Sequence, residues 1–205
     1  MICDDCRRTL PYHDKPACPQ CAISTPAGDV CGRCLMTPPA FDRATAAFEY
    51  RYPLAEVLRA FKYGGKLALG QFLAEALAAR TQSEPWPDYL VPMPLYSARL
   101  AQRGFNQAAE IARFLALATG LRLSLSTLMK IIDTRPQVDL PWKERRANVR
   151  GAFECDSNLS GARVVIVDDV MTTGASLHEA AKALKKRGAA EVSVWVVARA
   201  LPDVV

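Results

Sequence analysis

The sequence predicts a doubly wound α/β domain built on a parallel sheet, behind a small cysteine-rich segment. Two stretches carry the first half of that expectation. Val-Val-Ile-Val at 164–167 and Val-Ser-Val-Trp-Val-Val-Ala at 192–198 read as strands buried on both faces of a parallel sheet. Between them, residues 175–187 have the apolar spacing of an amphipathic helix, closed by Gly188. The second half rests on the cysteines, six of the 7 falling as Cys-x-x-Cys pairs at 3/6, 18/21 and 31/34. With 205 residues, 50% hydrophobic and 23% charged, the chain can bury a core and is neither disordered nor collagen-like.

Taken in order, residues 1–40 are rich in Cys, Pro and polar residues and end at Pro38-Pro39, which places a boundary near 40 and an α/β domain over 41–205. Residues 44–52 read as a strand, and 54–80 as two helices split by Gly64-Gly65. Pro85-Trp86-Pro87 precedes a short apolar strand at 89–91, which runs into a proline-stiffened loop, Pro92-Met93-Pro94. Residues 106–119 keep Ile111, Phe114, Leu115 and Ala118 on one helical face, with Gly120 as the C-terminal cap. Leu121, Leu123 and Leu125 suggest a strand within 121–132, and the polar stretch 133–150 reads as a long loop or short arm. The strand at 164–167 then feeds a loop over 168–174.

Net charge is +5, which permits an anionic partner without demanding one. The excess is concentrated at 41–150, where 16 Lys and Arg face 10 Asp and Glu. The first residues lack the apolar stretch of a secretory signal, and no window approaches the roughly 18 apolar residues that span a bilayer. The expectation is a cytoplasmic protein with no membrane insertion.

In a reducing compartment, clustered Cys-x-x-Cys pairs read as metal ligands rather than disulfides. Cys18-x2-Cys21-x9-Cys31-x2-Cys34 and Cys3-x2-Cys6-x11-Cys18-x2-Cys21 are both four-thiolate patterns for a structural Zn2+, and the first is favoured. Six cysteines cannot fill two four-coordinate sites. Cys3 and Cys6 are left to complete a site with His13, with a partner subunit, or with nothing.

Asp168 and Asp169 stand at the carboxyl end of a central strand, where open α/β sheets bind ligands. Thr172, Thr173, Gly174, Ala175 and Ser176 then turn into a helix N-terminus, whose free amides, hydroxyls and dipole attract phosphate. Acids beside an anion cradle suit a ligand with both hydroxyls and phosphate, such as a ribose 5-phosphate. His178, Lys182, Lys185, Lys186, Cys155 and Trp195 are read as satisfied, solvent-facing or core residues.

The span 164–176 resembles the phosphoribosyl pyrophosphate (PRPP) loop of type I phosphoribosyltransferases. The three cysteine pairs, Val91-Pro92-Met93-Pro94-Leu95, Arg103-Gly104-Phe105-Asn106-Gln107 and the stretch 145–153 extend a narrower resemblance, to the ComF family of competence-associated proteins, nearly end to end. It implies a type I phosphoribosyltransferase-like fold with an N-terminal zinc ribbon and a hood drawn from residues 1–80. PRPP would be held, with Mg2+, by Asp168, Asp169, Val170, Met171, Thr172, Thr173, Gly174, Ala175 and Ser176. Pro92, Arg99 and Arg103 would face the pyrophosphate. Asp168, Asp169 and Arg145 are the catalytic candidates. Arg135, Lys143, Arg145 and Arg146 would fold over the ligand as a mobile loop or contact DNA phosphates. Thr172 stands where 6-oxopurine enzymes place a carboxylate, which argues against that substrate class. Turnover on an unidentified acceptor, or PRPP binding in the service of DNA uptake or processing, are the two functional readings. Single-stranded DNA and DNA-processing proteins are the expected partners, and a homo-oligomeric state is left open.

Overall fold

The computed structural model describes residues 2–64, 66–82, 86–134 and 144–201; the side chains of Arg145 and Arg146 lie outside that description, as do residues 135–143. The chain runs α1 (Asp4–Arg8), α2 (Gly32–Met36), β1 (Arg43–Glu49), α3 (Leu54–Tyr63), α4 (Ala68–Thr81), β2 (Tyr89–Pro92), α5 (Ser97–Arg103) and α6 (Gln107–Thr119). It continues through β3 (Leu128–Lys130), α7 (Arg145–Asn148), β4 (Phe153–Cys155), β5 (Arg163–Met171), α8 (Ala175–Lys186) and β6 (Glu191–Arg199). Four strands form a sheet in the order β1-β6-β5-β2, all parallel.

The side-chain period of two divides the central strands between two cores. Val164 and Ile166 of β5, with Val192, Val194 and Val196 of β6, meet Leu177, Ala180, Ala181 and Leu184 of α8 on one face. Val165 and Val167, with Trp195 and Val197, meet Leu58 and Phe61 of α3, Leu73 and Leu77 of α4, and Ile111 and Leu115 of α6 on the other. Both faces are covered, which is why these strands read as continuous apolar runs. Gly70 lets α4 sit close to its neighbours: a Cβ there would stand 3.1 Å from Phe61 and 3.3 Å from Phe114.

Three sequence expectations are corrected and one element is added. The strand carrying the acids does not stop at Val167: β5 pairs with β6 as far as Met171 opposite Arg199, so Asp168 and Asp169 are strand residues. Parallel pairing with a long β6 holds the backbone extended although the side chains turn polar. The leucine pattern at 121–125 yields only one bridge, Leu123 to Leu90, and the true strand is β3, paired antiparallel with β4. Residues 97–103, unassigned from sequence, form α5. The stretch 133–150 contains a helix, α7.

The N-terminal segment packs on the domain. Leu10 is buried in the α3/α4/α6 core. Residues 11–13 lie against β1: the His13 amide donates to the Ala47 carbonyl at 2.9 Å and the Glu49 amide to the Pro11 carbonyl at 2.8 Å. Further on, the Ala44 amide donates to the Pro19 carbonyl at 3.0 Å.

Candidate functional site

The carboxyl ends of β5 and β2, with α3 above them, enclose a cleft of about 850 Å³. Asp168, Asp169, Val170, Met171, Thr172, Thr173, Gly174, Ala175 and Ser176 all line it, as do Arg99 and Arg103. Pro92 does not; it pairs with Val167 inside the sheet, and Met93, Pro94 and Leu95 form the wall beyond it. Arg145 begins α7, and its side chain is outside the described residues.

The acid pair is tightly held. The Asp169 amide donates to Asp168 Oδ1 at 2.9 Å, and the Lys62 ammonium meets Asp169 Oδ2 at 2.5 Å. Burial, and then the Asp169 charge, push the Asp168 carboxyl up to about 8, against the pull of the Asp169 amide and of Lys62. Burial opposes the charge on Lys62 as well, but the ion pair and hydrogen bond with Asp169, then Asp168, hold it above the usual lysine value. Lys62, at the end of α3, is a site residue that sequence reading missed. A lone lysine in the last turn of an amphipathic helix looks like an ordinary C-terminal cation.

The turn into α8 follows at once. Gly174 caps α8 with φ +77°, a left-handed conformation that side chains resist. Space is not the reason for glycine, because a Cβ would meet Met171 at 3.6 Å and Phe41 at 3.7 Å, ordinary contacts. Thr173 Oγ1 accepts from the Ala175 amide at 3.1 Å. His178 is satisfied, as expected: Nδ1 accepts the Ala40 amide at 2.9 Å.

On the opposite wall, Asn106 ties α6 to the proline loop. Its Oδ1 accepts the Ala108 and Ala109 amides while Nδ2 donates to the Met93 carbonyl at 3.0 Å. Arg103 donates to Gln107 Oε1 at 2.7 Å and to Tyr63 Oη at 3.1 Å, its guanidinium lying 5.2 Å from the Tyr63 ring centre. Arg59 and Lys130 add positive charge to the same cleft. Burial, and then Arg99, bring the Lys130 ammonium below its usual value.

Beside the cleft, the ligand atoms of Cys18, Cys21, Cys31 and Cys34 lie within 4.8 Å of one another, with Cys21 Sγ 3.6 Å from Cys31 Sγ. Four thiolates about 2.3 Å from one ion would stand about 3.8 Å apart, so the set fits a closed tetrahedral metal centre. Burial would raise the Cys31 thiol, but the Cys34 amide and the neighbouring sulfurs bring it down to about 7. Burial raises Cys34 above the ordinary thiol range. Cys3 and Cys6 are exposed and outside this cluster, and His13 Nε2 is occupied by the Ala22 carbonyl at 2.9 Å. Arg199, the second residue missed in the sequence, runs under both features. A lone cation ending an apolar strand looks like an ordinary surface residue.

Residues 103–203 match the phosphoribosyl transferase domain. The chain is 35% identical to the DNA utilization protein YhgH of Salmonella typhi, over 98% of this chain and 91% of that protein. It is 31% identical to competence protein F of Haemophilus influenzae, over 97% of this chain and 90% of that protein. Among solved structures, that of the allosteric regulatory enzyme of purine biosynthesis matches 62% of this chain and 25% of that enzyme, at 26% identity and a TM-score of 0.41.

Proposed function

The chain belongs to the ComF family of competence-associated, phosphoribosyltransferase-like proteins, and from that premise we propose that its cleft binds PRPP with Mg2+ in the cytoplasm, in support of DNA uptake or processing. One observation carries the reading: an acid pair and a phosphate cradle, consecutive in sequence, line the same cleft opposite Arg99 and Arg103. Asp168 and Asp169 accept the ribose hydroxyls, the amides of 172–176 and the Thr172, Thr173 and Ser176 hydroxyls seat the 5′-phosphate, and Arg99 and Arg103 answer the pyrophosphate. Asp168 and Asp169 would hold Mg2+, which would supply positive charge to offset that of the pyrophosphate. Before that ligand enters, Lys62 is the counter-ion of the acids and must share or yield Asp169.

Calorimetry checks this directly. Wild type binds PRPP only with Mg2+, and the Asp168→Asn/Asp169→Asn variant, folded by circular dichroism, loses that binding. Unchanged PRPP affinity in the folded double variant overturns the assignment.

A second reading, turnover on an unidentified acceptor, is favoured by the size of the cleft and by Tyr50 and Tyr63 on its α3 side, which offer flat surfaces to a ring. Pyrophosphate release from PRPP, assayed across free bases and DNA, separates catalyst from binder. For the metal centre, the proposed occupant is one structural Zn2+ on Cys18, Cys21, Cys31 and Cys34.

A further inference from the structure

Arg199 ends β6 with 0% of its surface exposed. Its charge has been taken wholly out of water, yet no carboxylate pairs with it among the described residues. Its hydrogen-bond partners among the described residues are main-chain carbonyls. Nε donates to Cys21 at 2.7 Å, and Nη1 donates to Met171 at 2.9 Å, to Thr172 at 2.6 Å and to Ala200. Nη2 is buried with no hydrogen-bond partner among the described residues. Carbonyl dipoles alone compensate a buried charge poorly. The negative charges that favour the guanidinium are those of Cys21 and Cys31 in the four-cysteine cluster, which with a divalent ion and four thiolates would carry two net negative charges.

The gripped carbonyls belong to two different working parts. Cys21 is a ligand of the metal knuckle, whereas Met171 and Thr172 lead into the phosphate cradle. A cavity of about 270 Å³ lies between them, lined by Cys21, Cys34, Phe41, Met171, Thr173 and Gly174, while Ala22 and Met171 share the buried core beside it. The guanidinium adds a polar tie that crosses from one part to the other. Its planar fork of donors allows several carbonyls to be held at fixed angles, which a lysine ammonium on a flexible stem does not reproduce.

We infer that Arg199 is a positioning residue that couples the metal centre to the ligand loop. A filled metal centre fixes the Cys21 carbonyl, that carbonyl orients Arg199, and Arg199 sets the Met171 and Thr172 carbonyls from which residues 172–176 turn toward the cleft. The effect on ligand affinity rests on the proposed role of that loop as phosphate seat; the coupling itself does not.

The test follows backbone amide resonances of the full-length, 15N-labelled protein, zinc-loaded and chelator-stripped, for wild type and Arg199→Lys, with ribose 5-phosphate titrated into each. In wild type, stripping moves or broadens resonances of 171–176 while those of β2, on the far edge of the sheet, stay in place, and the ribose 5-phosphate Kd rises about tenfold or more. Arg199→Lys keeps its zinc, because all four cysteines remain, but its loop resonances no longer respond to the metal and its affinity changes less than about twofold on stripping. Indifference of the wild-type loop to the metal overturns the inference, and so does an equal disturbance of β2, which would make the metal a support for the whole fold. A metal response retained in Arg199→Lys overturns it as well. If that variant does not fold, the wild-type comparison decides alone. If ribose 5-phosphate binds neither form while the loop responds to zinc, the phosphate-seat reading fails and the coupling stands.

Discussion

Asp168 sets the behaviour of the empty cleft with pH. A carboxyl raised to about 8 holds its proton at neutrality, whereas its unfolded counterpart near 3.8 does not. Its contribution to stability is therefore fully present below the ordinary carboxyl range and lost as pH rises toward about 8. Ligand binding runs the other way. On the proposed role, hydroxyls and Mg2+ would need the carboxylate, so binding would release a proton, and affinity should climb by up to about tenfold per pH unit from about pH 6 to about pH 8. Asp168→Asn should flatten that climb, and calorimetry of Mg2+-dependent ribose 5-phosphate binding at three pH values checks it. The acids themselves were legible in the sequence because their order, two acids and then Thr-Thr-Gly-x-Ser, is dictated by local chemistry. Lys62 and Arg199 were not. Each acts across a tertiary contact, on Asp169 or on Cys21, Met171 and Thr172, that nothing in its own neighbourhood announces.

At the scale of elements, the cysteine knuckles were readable from spacing alone, since each Cys-x-x-Cys turn aims two sulfurs at one point. Among the three pairs, Cys18, Cys21, Cys31 and Cys34 lie together, the first two and Cys34 buried, while Cys3 and Cys6 are exposed. Purified protein should hold about one zinc per chain. Cys18→Ser should release it and cost on the order of 3 kcal/mol, which for a chain of this length lowers Tm by roughly 6 to 12 °C. Elemental analysis and calorimetric melting of the reduced variant provide the measurement, and full zinc occupancy with an unchanged Tm would remove these residues from the metal centre. The elements that escaped the sequence are those whose partners are remote. β3 exists because β4 pairs with it, and the last residues of β5 are strand because β6 extends beside them. Period-two patterning is too short in each to be distinguished from loop.

For the molecule as a whole, the parallel sheet and its two helix layers were legible because apolar runs covered on both faces have few alternative architectures. Function at this scale turns on charge. The excess of Lys and Arg over Asp and Glu at 41–150 includes Arg135, Lys143, Arg145 and Arg146, whose proposed DNA contacts lie outside the described residues. If they meet DNA phosphates, replacing all four with Ala should leave PRPP affinity unchanged. Single- and double-stranded DNA binding should weaken irrespective of sequence, and the salt slope should fall by roughly 0.7 to 0.9 per lost contact. If instead they act on departing pyrophosphate, turnover falls and the salt slope stays. Fluorescence anisotropy at two salt concentrations distinguishes the two.

The strip at 11–13 along β1 has a consequence for the protein's solution behaviour. β1 is an outer strand of the sheet, and on the side away from β6 the Ala47 carbonyl is taken by the His13 amide and the Glu49 amide by the Pro11 carbonyl. Remove that strip and the strand becomes a template for another copy of itself, flanked by the newly bared Phe48. A chain shortened to begin at residue 41 would thus be a poor minimal unit even with its ligand cleft intact. Its light scattering should grow with concentration faster than that of the full-length protein.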